Sequence, residues 1–327
     1  MIGLGVGAQH ALTYVGVDGC KLLYVYDLDT HKMQRVLGQL GQGTAGVSVE
    51  ALLQDQAVDV VSIASYDDMH GTQVVAALRA GKHVFVEKPL CRSEEELRAI
   101  KDAWLLSGDR HLASNLVLRA APLYRWLRDA ITGGELGEIY GFDGDYLYGR
   151  LSKITDGWRK DVLDYSVMQG GGVHLVDLML WLTGQRPRSV TAVGNRICTE
   201  GTAFHYHDYV SATFTFASGL VGRITANFGC AHSHQHVLRV FGTKGTFICD
   251  DMGPRLHTSR DPTVQAQKLD LAAVPASKGE LIPIFIGAIL KGVDTRDQTQ
   301  HEFDVISACL GADHALAASK CVEIGYV

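Results

Sequence analysis

Residues 1–27 read MIGLGVGAQHALTYVGVDGCKLLYVYD, and the order of signals in this stretch decides the fold. Gly3, Gly5 and Ala8 spell Gly-x-Gly-x-x-Ala at the start of a helical pattern, and LLYVYD, 22–27, is a short apolar strand closed by an acid. Glycine at 3 suits a tight turn, and glycine at 5 lets backbone approach a pyrophosphate. Ala8 is small enough for the helix to pack on the strand, with phosphates resting on the helix N-terminus. Asp27 ends the next strand about twenty positions on, where a carboxylate accepts hydrogen bonds from the adenosine ribose and repels a 2′-phosphate. The pattern implies a dinucleotide site that favours NAD over NADP. The plainer reading is a glycine-rich turn and a surface acid. Only Met1 and Ile2 precede Gly3, so the first strand is expected to be clipped.

Working outward, VDVVSIAS (58–65) and KHVFVEK (82–88) are unbroken enough in Val and Ile to be strands buried on both faces. Helices lie between them. Thr30 and Ser48 stand at N-cap positions, 69–80 has helical apolar spacing ended by Gly81, and Ser93 with Glu96 makes a capping box. After about residue 115 the grammar changes. Helices are expected near 122–132 and 172–182, strands within 189–198, 208–217, 220–229, 236–242 and 245–250, and closing helices near 280–293 and 303–320. This predicts an α/β Rossmann domain over 1–114. Behind it, over 115–327, an α+β domain is expected, with a large open, mostly antiparallel sheet.

The composition, 46% hydrophobic and 20% charged over 327 residues, supports two such cores. A formal net charge of −6 offers no basic field for nucleic acid. The seven cysteines form no Cys-x-x-Cys pair, the pattern of reduced thiols, and with no secretory-type N-terminus and no apolar run of membrane length the expected location is cytoplasmic. No metal is expected.

The stretch 80–90, AGKHVFVEKPL, resembles the signature of the Gfo/Idh/MocA oxidoreductases (glucose-fructose oxidoreductase, inositol dehydrogenase, rhizopine catabolism). The opening glycine turn, Gly134-Glu-Leu-Gly-Glu-Ile139 and Gly170-Gly-Gly-Val-His174-Leu-Val-Asp177 resemble further family motifs in the expected order. The resemblance implies catalytic roles for Lys88 and His174. It places Ser65, His70, Glu87 and Lys88 with Gly3, Gly5, Ala8 and Asp27 about the cofactor, and Arg119 at the opening of the second domain. Oxidising an alcohol needs a base of near-neutral pKa, which suits His174, and a cation beside the developing alkoxide, which suits Lys88. From spacing alone, Lys88 reads as a solvated loop lysine and His174 as a core histidine, and the resemblance reverses that preference. Structural roles stay open for His70 and Arg119. The family commonly carries Asp four positions before the histidine, whereas this chain has Gly170, which leaves Asp164 or Asp177 to compensate or catalysis to be lost.

Asp177 has two readings, substrate contact or a first-turn acid complementing the helix dipole. Trp158 and Arg159 fall in a polar loop, 148–164, suited to lining a sugar pocket by stacking and bidentate hydrogen bonds. His232, His234 and His236 alternate, so on a strand they would share a face; contact with another subunit, giving a dimer or tetramer through the sheet, is the expectation for them. The sequence thus points to an NAD-dependent dehydrogenase of sugars, cyclitols or nucleotide-linked sugars. The rival is an NAD-binding sensor without turnover.

Overall fold

The computed structural model describes residues 1–108 and 110–327. The chain forms two compact units, Met1–Ala120 with Pro275–Ile306 and Val327, and Ala121–Val274 with Ser307–Tyr326.

In the first unit the strands are β1 (Tyr24–Val25), β2 (Thr44–Ala45), β3 (Val60–Ile63), β4 (His83–Val86) and β5 (Leu112–Ser114). They alternate with helices α1 (Gly7–Val15), α2 (Thr30–Leu40), α3 (Val49–Gln54), α4 (His70–Arg79) and α5 (Glu94–Leu106). Neighbours β1–β2, β3–β4 and β4–β5 pair in parallel, and Ile2 bridges in parallel to both Tyr26 and Ile63. The N-terminal residues therefore stand between the β1 and β3 lines, a doubly wound order with a very short central strand. All four residues of β4 are buried, as its Val-rich sequence requires of a strand covered on both faces. Ser48 caps α3, but α2 is capped by Asp29, whose carboxylate accepts from the Lys32 amide, and not by Thr30. Ser93 caps α5, while Glu96 turns back to the Arg92 amide, one residue earlier than a capping box has it.

The second unit contains β6 (Ile139–Leu147), β7 (Pro187–Asn195), β8 (Tyr209–Phe216), β9 (Val221–Asn227), β10 (Gln235–Gly242), β11 (Thr246–Asp250), β12 (Gly253–His257) and β13 (Gln267–Lys268). Its helices are α6 (Pro122–Thr132), α7 (Ser152–Thr155) and α8 (Val173–Thr183). With β14 (Val322–Glu323) the strands make a nine-stranded sheet in the order 13-12-11-10-6-9-8-7-14. Every pairing is antiparallel except β6 with β9. The pattern reading missed β6 because Gly141, Asp143, Gly144 and Asp145 are poor strand formers. In place those residues fit. Gly144 leaves room for Leu175 of α8 on one face, while Asp143 and Asp145 pair with Arg223 and Arg239 on the other.

The expected boundary at 114/115 moves to 120/121, and residues 275–306 return to the first unit. The cause is apolar. Ile282, Phe285 and Ile286 of α9 (Ile282–Lys291) pack on Tyr14 and Phe85, at about 1.5–3 kcal/mol for each buried side chain. The last helix, α10 (Arg296–Ala318), begins earlier than 303 and divides its length between the units.

Candidate active site

In the first unit Gly3 has φ +80°, and a Cβ on it would lie 2.3 Å from the Ala64 carbonyl oxygen, so only glycine makes this turn. Gly5 is exposed, and no atom lies within 4 Å of where its Cβ would stand. That is the open backbone a pyrophosphate needs, beside the N-terminal turn of α1. The close packing assigned to Ala8 belongs to Gly7 instead: Ala8 is half-buried, whereas Gly7 is buried against Met1 and Ala64. The Leu4 amide donates to Asp27 Oδ2 at 2.7 Å, tying the ribose-binding acid to the glycine turn. Burial pushes the Asp27 carboxyl upward, but the amides of Asp29 and Leu4 and the Lys32 ammonium outweigh it and hold the pKa below the usual carboxylate range. These residues fit a dinucleotide.

Around Lys88 the scaffold is hydrogen-bonded throughout. Glu87 Oε1 accepts from Asn115 Nδ2 at 2.6 Å and lies 3.0 Å from His10 Nε2. Against burial, those partners and the Lys88 charge keep the Glu87 carboxyl below its ordinary pKa. His10 and Asn115 were not anticipated; a polar residue on the buried face of α1 and another directly after β5 were the available signals. His70 is fully buried, with Nδ1 2.7 Å from the Pro89 carbonyl oxygen and Nε2 3.3 Å from that of Ser65, so it holds the turn that follows Lys88. The Ser65 hydroxyl donates to Gln73. Arg119 departs from its expected substrate role: its guanidinium lies 3.3 Å from Glu302, whose carboxylate also takes the Ser114 hydroxyl.

In the second unit a π-helical turn, Met168–Gly172, runs into α8 and presents His174 at its first turn. Such turns mark functional positions more often than chance. His174 stacks with Tyr146 at a ring separation of 6.3 Å and meets the edge of His236 at 5.8 Å. Gly171 and Gly172 allow this closeness. A Cβ on Gly171 would press on Tyr146 and Phe228, and one on Gly172 on Met168.

Three expectations change here. Asp177 has no exposed surface, so its place is inside α8 and not against substrate. His234 and His236 surround Tyr146 on the face of the sheet that α8 covers, not on an intersubunit face, and His232 lies outside the strand beside Asp251. Among the described residues no cluster of His, Cys, Asp or Glu could hold a metal ion. Arg159 stacks on Trp158 at 4.5 Å and donates from Nε to Tyr165 Oη at 3.0 Å. Tyr146, Tyr165 and His236 were missed as site residues because their strand and turn were not recognised as the wall beside His174.

At the head of the π turn, Asp313 of α10 accepts from the Ser166 hydroxyl at 2.7 Å and from Gln169 Nε2 at 2.8 Å. Burial pushes its carboxyl up to about 6 despite those bonds. A folded-state pKa above the unfolded value means that the folded chain holds the extra proton. This stability is full below about pH 4 and is lost as pH rises through about 6, by about 3 kcal/mol in all. Urea unfolding between pH 4 and 8 is expected to show that slope in the wild type and not in Asp313→Asn. Parallel slopes would refute it.

None of the seven cysteines is in a disulfide, and among the described residues no helix is long and apolar enough to cross a membrane. Residues 1–110 match the oxidoreductase family with the NAD-binding Rossmann fold, and residues 124–248 match the GFO/IDH/MocA C-terminal domain. The chain is similar to 1,5-anhydro-D-fructose reductase of Ensifer adhaerens, 30% identical over 223 residues, which are 64% of this chain and 62% of that one. It is also similar to UDP-N-acetylglucosamine 3-dehydrogenase of Acidithiobacillus ferrooxidans, 28% identical over 300 residues, 88% of this chain and 87% of that one. Among solved structures, levoglucosan dehydrogenase in complex with NADH superposes with a TM-score of 0.87 at 20% identity, covering 100% of this chain and 98% of that chain, a likeness of fold.

Proposed function

Because this chain belongs to the Gfo/Idh/MocA family of oxidoreductases, with an NAD-binding Rossmann domain at its N-terminus, we propose that it is a dehydrogenase acting on a ring hydroxyl of a sugar, a cyclitol or a nucleotide-linked sugar. The observation that carries the reading is the built dinucleotide turn, with Asp27 locked to the Leu4 amide beside the open backbone of Gly5. Bound NAD supplies the hydride acceptor. His174 takes the hydroxyl proton as the hydride leaves, and the imidazole suits this because its ordinary pKa is near neutral. The Lys88 ammonium stabilises the charge that grows on the substrate oxygen. His70 and Glu87 act through position, one holding the Pro89 carbonyl and the other setting the local charge.

The substrate class rests on relatives named for an anhydro-sugar, for inositol and for a UDP-sugar. A sensor that binds NAD without turnover is disfavoured by the presence of both Lys88 and His174. Self-association through the uncovered face of the sheet, where Asp143, Asp145, Arg223 and Arg239 lie, belongs to the same reading; a monomer in sedimentation at micromolar concentration would remove it.

The experiment is steady-state nicotinamide absorbance with NAD or NADP against free sugars, inositols and nucleotide sugars. Turnover with NAD and at least one member of the panel is expected. Tight NAD binding with a silent panel would favour the sensor.

A further inference from the structure

Position 170 is glycine, four residues before His174, so a side chain there would project onto the His174 face one turn earlier. The structure shows what occupies that space. A Cβ on Gly170 would lie 2.1 Å from Tyr165 Oη and 2.8 Å from its Cζ, so the tip of the phenol fills the volume that the missing side chain leaves. Tyr165 is 5% exposed and His174 is 8% exposed. They share a wall: the Tyr165 ring meets Phe228 at 6.5 Å, Phe228 meets Tyr146 at 5.5 Å, and Tyr146 stacks on His174. The ring of Tyr165 also meets Phe204 edge-on at 5.8 Å, which fixes its orientation.

Its hydroxyl is prepared for donation. Arg159 Nε–H donates into the phenol oxygen, so a cation polarises the O–H bond and leaves the phenolic proton to point elsewhere. Asp177 is sealed inside α8, and Asp164 is exposed with φ +52° on the turn before Tyr165, so neither carboxylate stands over Gly170.

We propose that Tyr165, oriented by Arg159 and seated over Gly170, is a further catalytic residue, donating a hydrogen bond to the substrate oxygen from which His174 takes the proton. The inference rests on the dehydrogenase reading. In the oxidation direction the hydroxyl proton passes to His174 and the hydride to NAD, while the Tyr165 O–H bond stays intact and its donated hydrogen bond strengthens as the oxygen becomes negative. Arg159 is then a positioning residue and not a ligand for the sugar.

An interaction that strengthens only as charge develops lowers kcat when removed and leaves KM nearly alone. Tyr165→Phe keeps the ring and its packing. With a substrate from the panel, its kcat is expected to fall by about 10²–10³, the usual cost of one oxyanion donor. KM, NAD affinity by fluorescence titration and the thermal midpoint should stay at wild-type values. Arg159→Met should give an intermediate loss in kcat. If Tyr165→Phe turns over within about threefold of the wild type while His174→Ala is inactive, the proposal fails and the dehydrogenase reading stands. The proposal fails in the same way if the variant's loss is entirely in KM or in the melting point. A wild type that binds NAD and turns over no substrate overturns both.

Discussion

His174→Ala is expected to lower kcat by a factor of about 10²–10⁴, the range for removing a positioned general base, with NAD affinity unchanged. The separation of effects is dictated by the fold: His174 sits on α8 in the second unit, while the glycine turn and Asp27 lie in the first. Lys88→Met should cost about 10²–10³ in kcat through the lost stabilisation of negative charge. If both residues serve the same proton-transfer step, the double variant will be little worse than the poorer single one. Multiplying losses would instead assign them to separate steps and would overturn the proposed roles. Rescue of His174→Ala turnover by added imidazole would support the base role, since the buried ring between Tyr146 and His236 leaves an imidazole-shaped gap.

The parts of this molecule that were legible in the sequence are those where local pattern and tertiary demand agree. β4 is Val-rich because it is covered on both faces, and α4 ends where Gly81 has φ +72°. The parts that were not legible are those where long-range partners decide. β6 carries two glycines and two aspartates whose fitness depends on α8 on one side and on Arg223 and Arg239 on the other. No window of local sequence contains those partners. Likewise α9 reads as a helix, but nothing in its own residues says that it packs on Tyr14 and Phe85, more than 190 residues earlier in the chain.

For the site, the motifs located Lys88 and His174 but not their neighbours. Arg119 and Asp177 have residue types suited to substrate, yet one is paired with Glu302 and the other is sealed in α8, facts set by burial and not by spacing. The histidines 234 and 236 were assigned the wrong face because the side of a sheet that a helix covers is a tertiary property. Gly170 had a readable oddity, and only the folded chain shows Tyr165 above it.

The two glycines of the opening turn separate stability from binding. Gly3→Ala is expected to be severely destabilising: at φ +80° an L-residue is strained by about 1–3 kcal/mol, and the new methyl would stand 2.3 Å from backbone, not from a flexible side chain. Relief requires the Gly3 and Ala64 segments to part, which breaks the bonds from the Gly3 amide to Tyr26 and from the Ala64 amide to Ile2, at about 1 kcal/mol each. Those two bonds tie the N-terminal residues to the lines of β1 and β3, so the loss falls on the centre of the first unit and lowers its melting point along with NAD binding. Gly5→Ala makes the opposite case. Its Cβ meets nothing within 4 Å and its φ is not positive, so the melting point should stay near that of the wild type. The methyl then stands in the open space where the pyrophosphate must approach the backbone, and NAD affinity should fall by about tenfold or more, at about 1.4 kcal/mol per decade. Thermal unfolding and NAD fluorescence titration on the two variants measure both quantities. A Gly3→Ala protein as stable as wild type would refute the strained-turn geometry, and a Gly5→Ala protein with unchanged NAD affinity would move the pyrophosphate away from this turn.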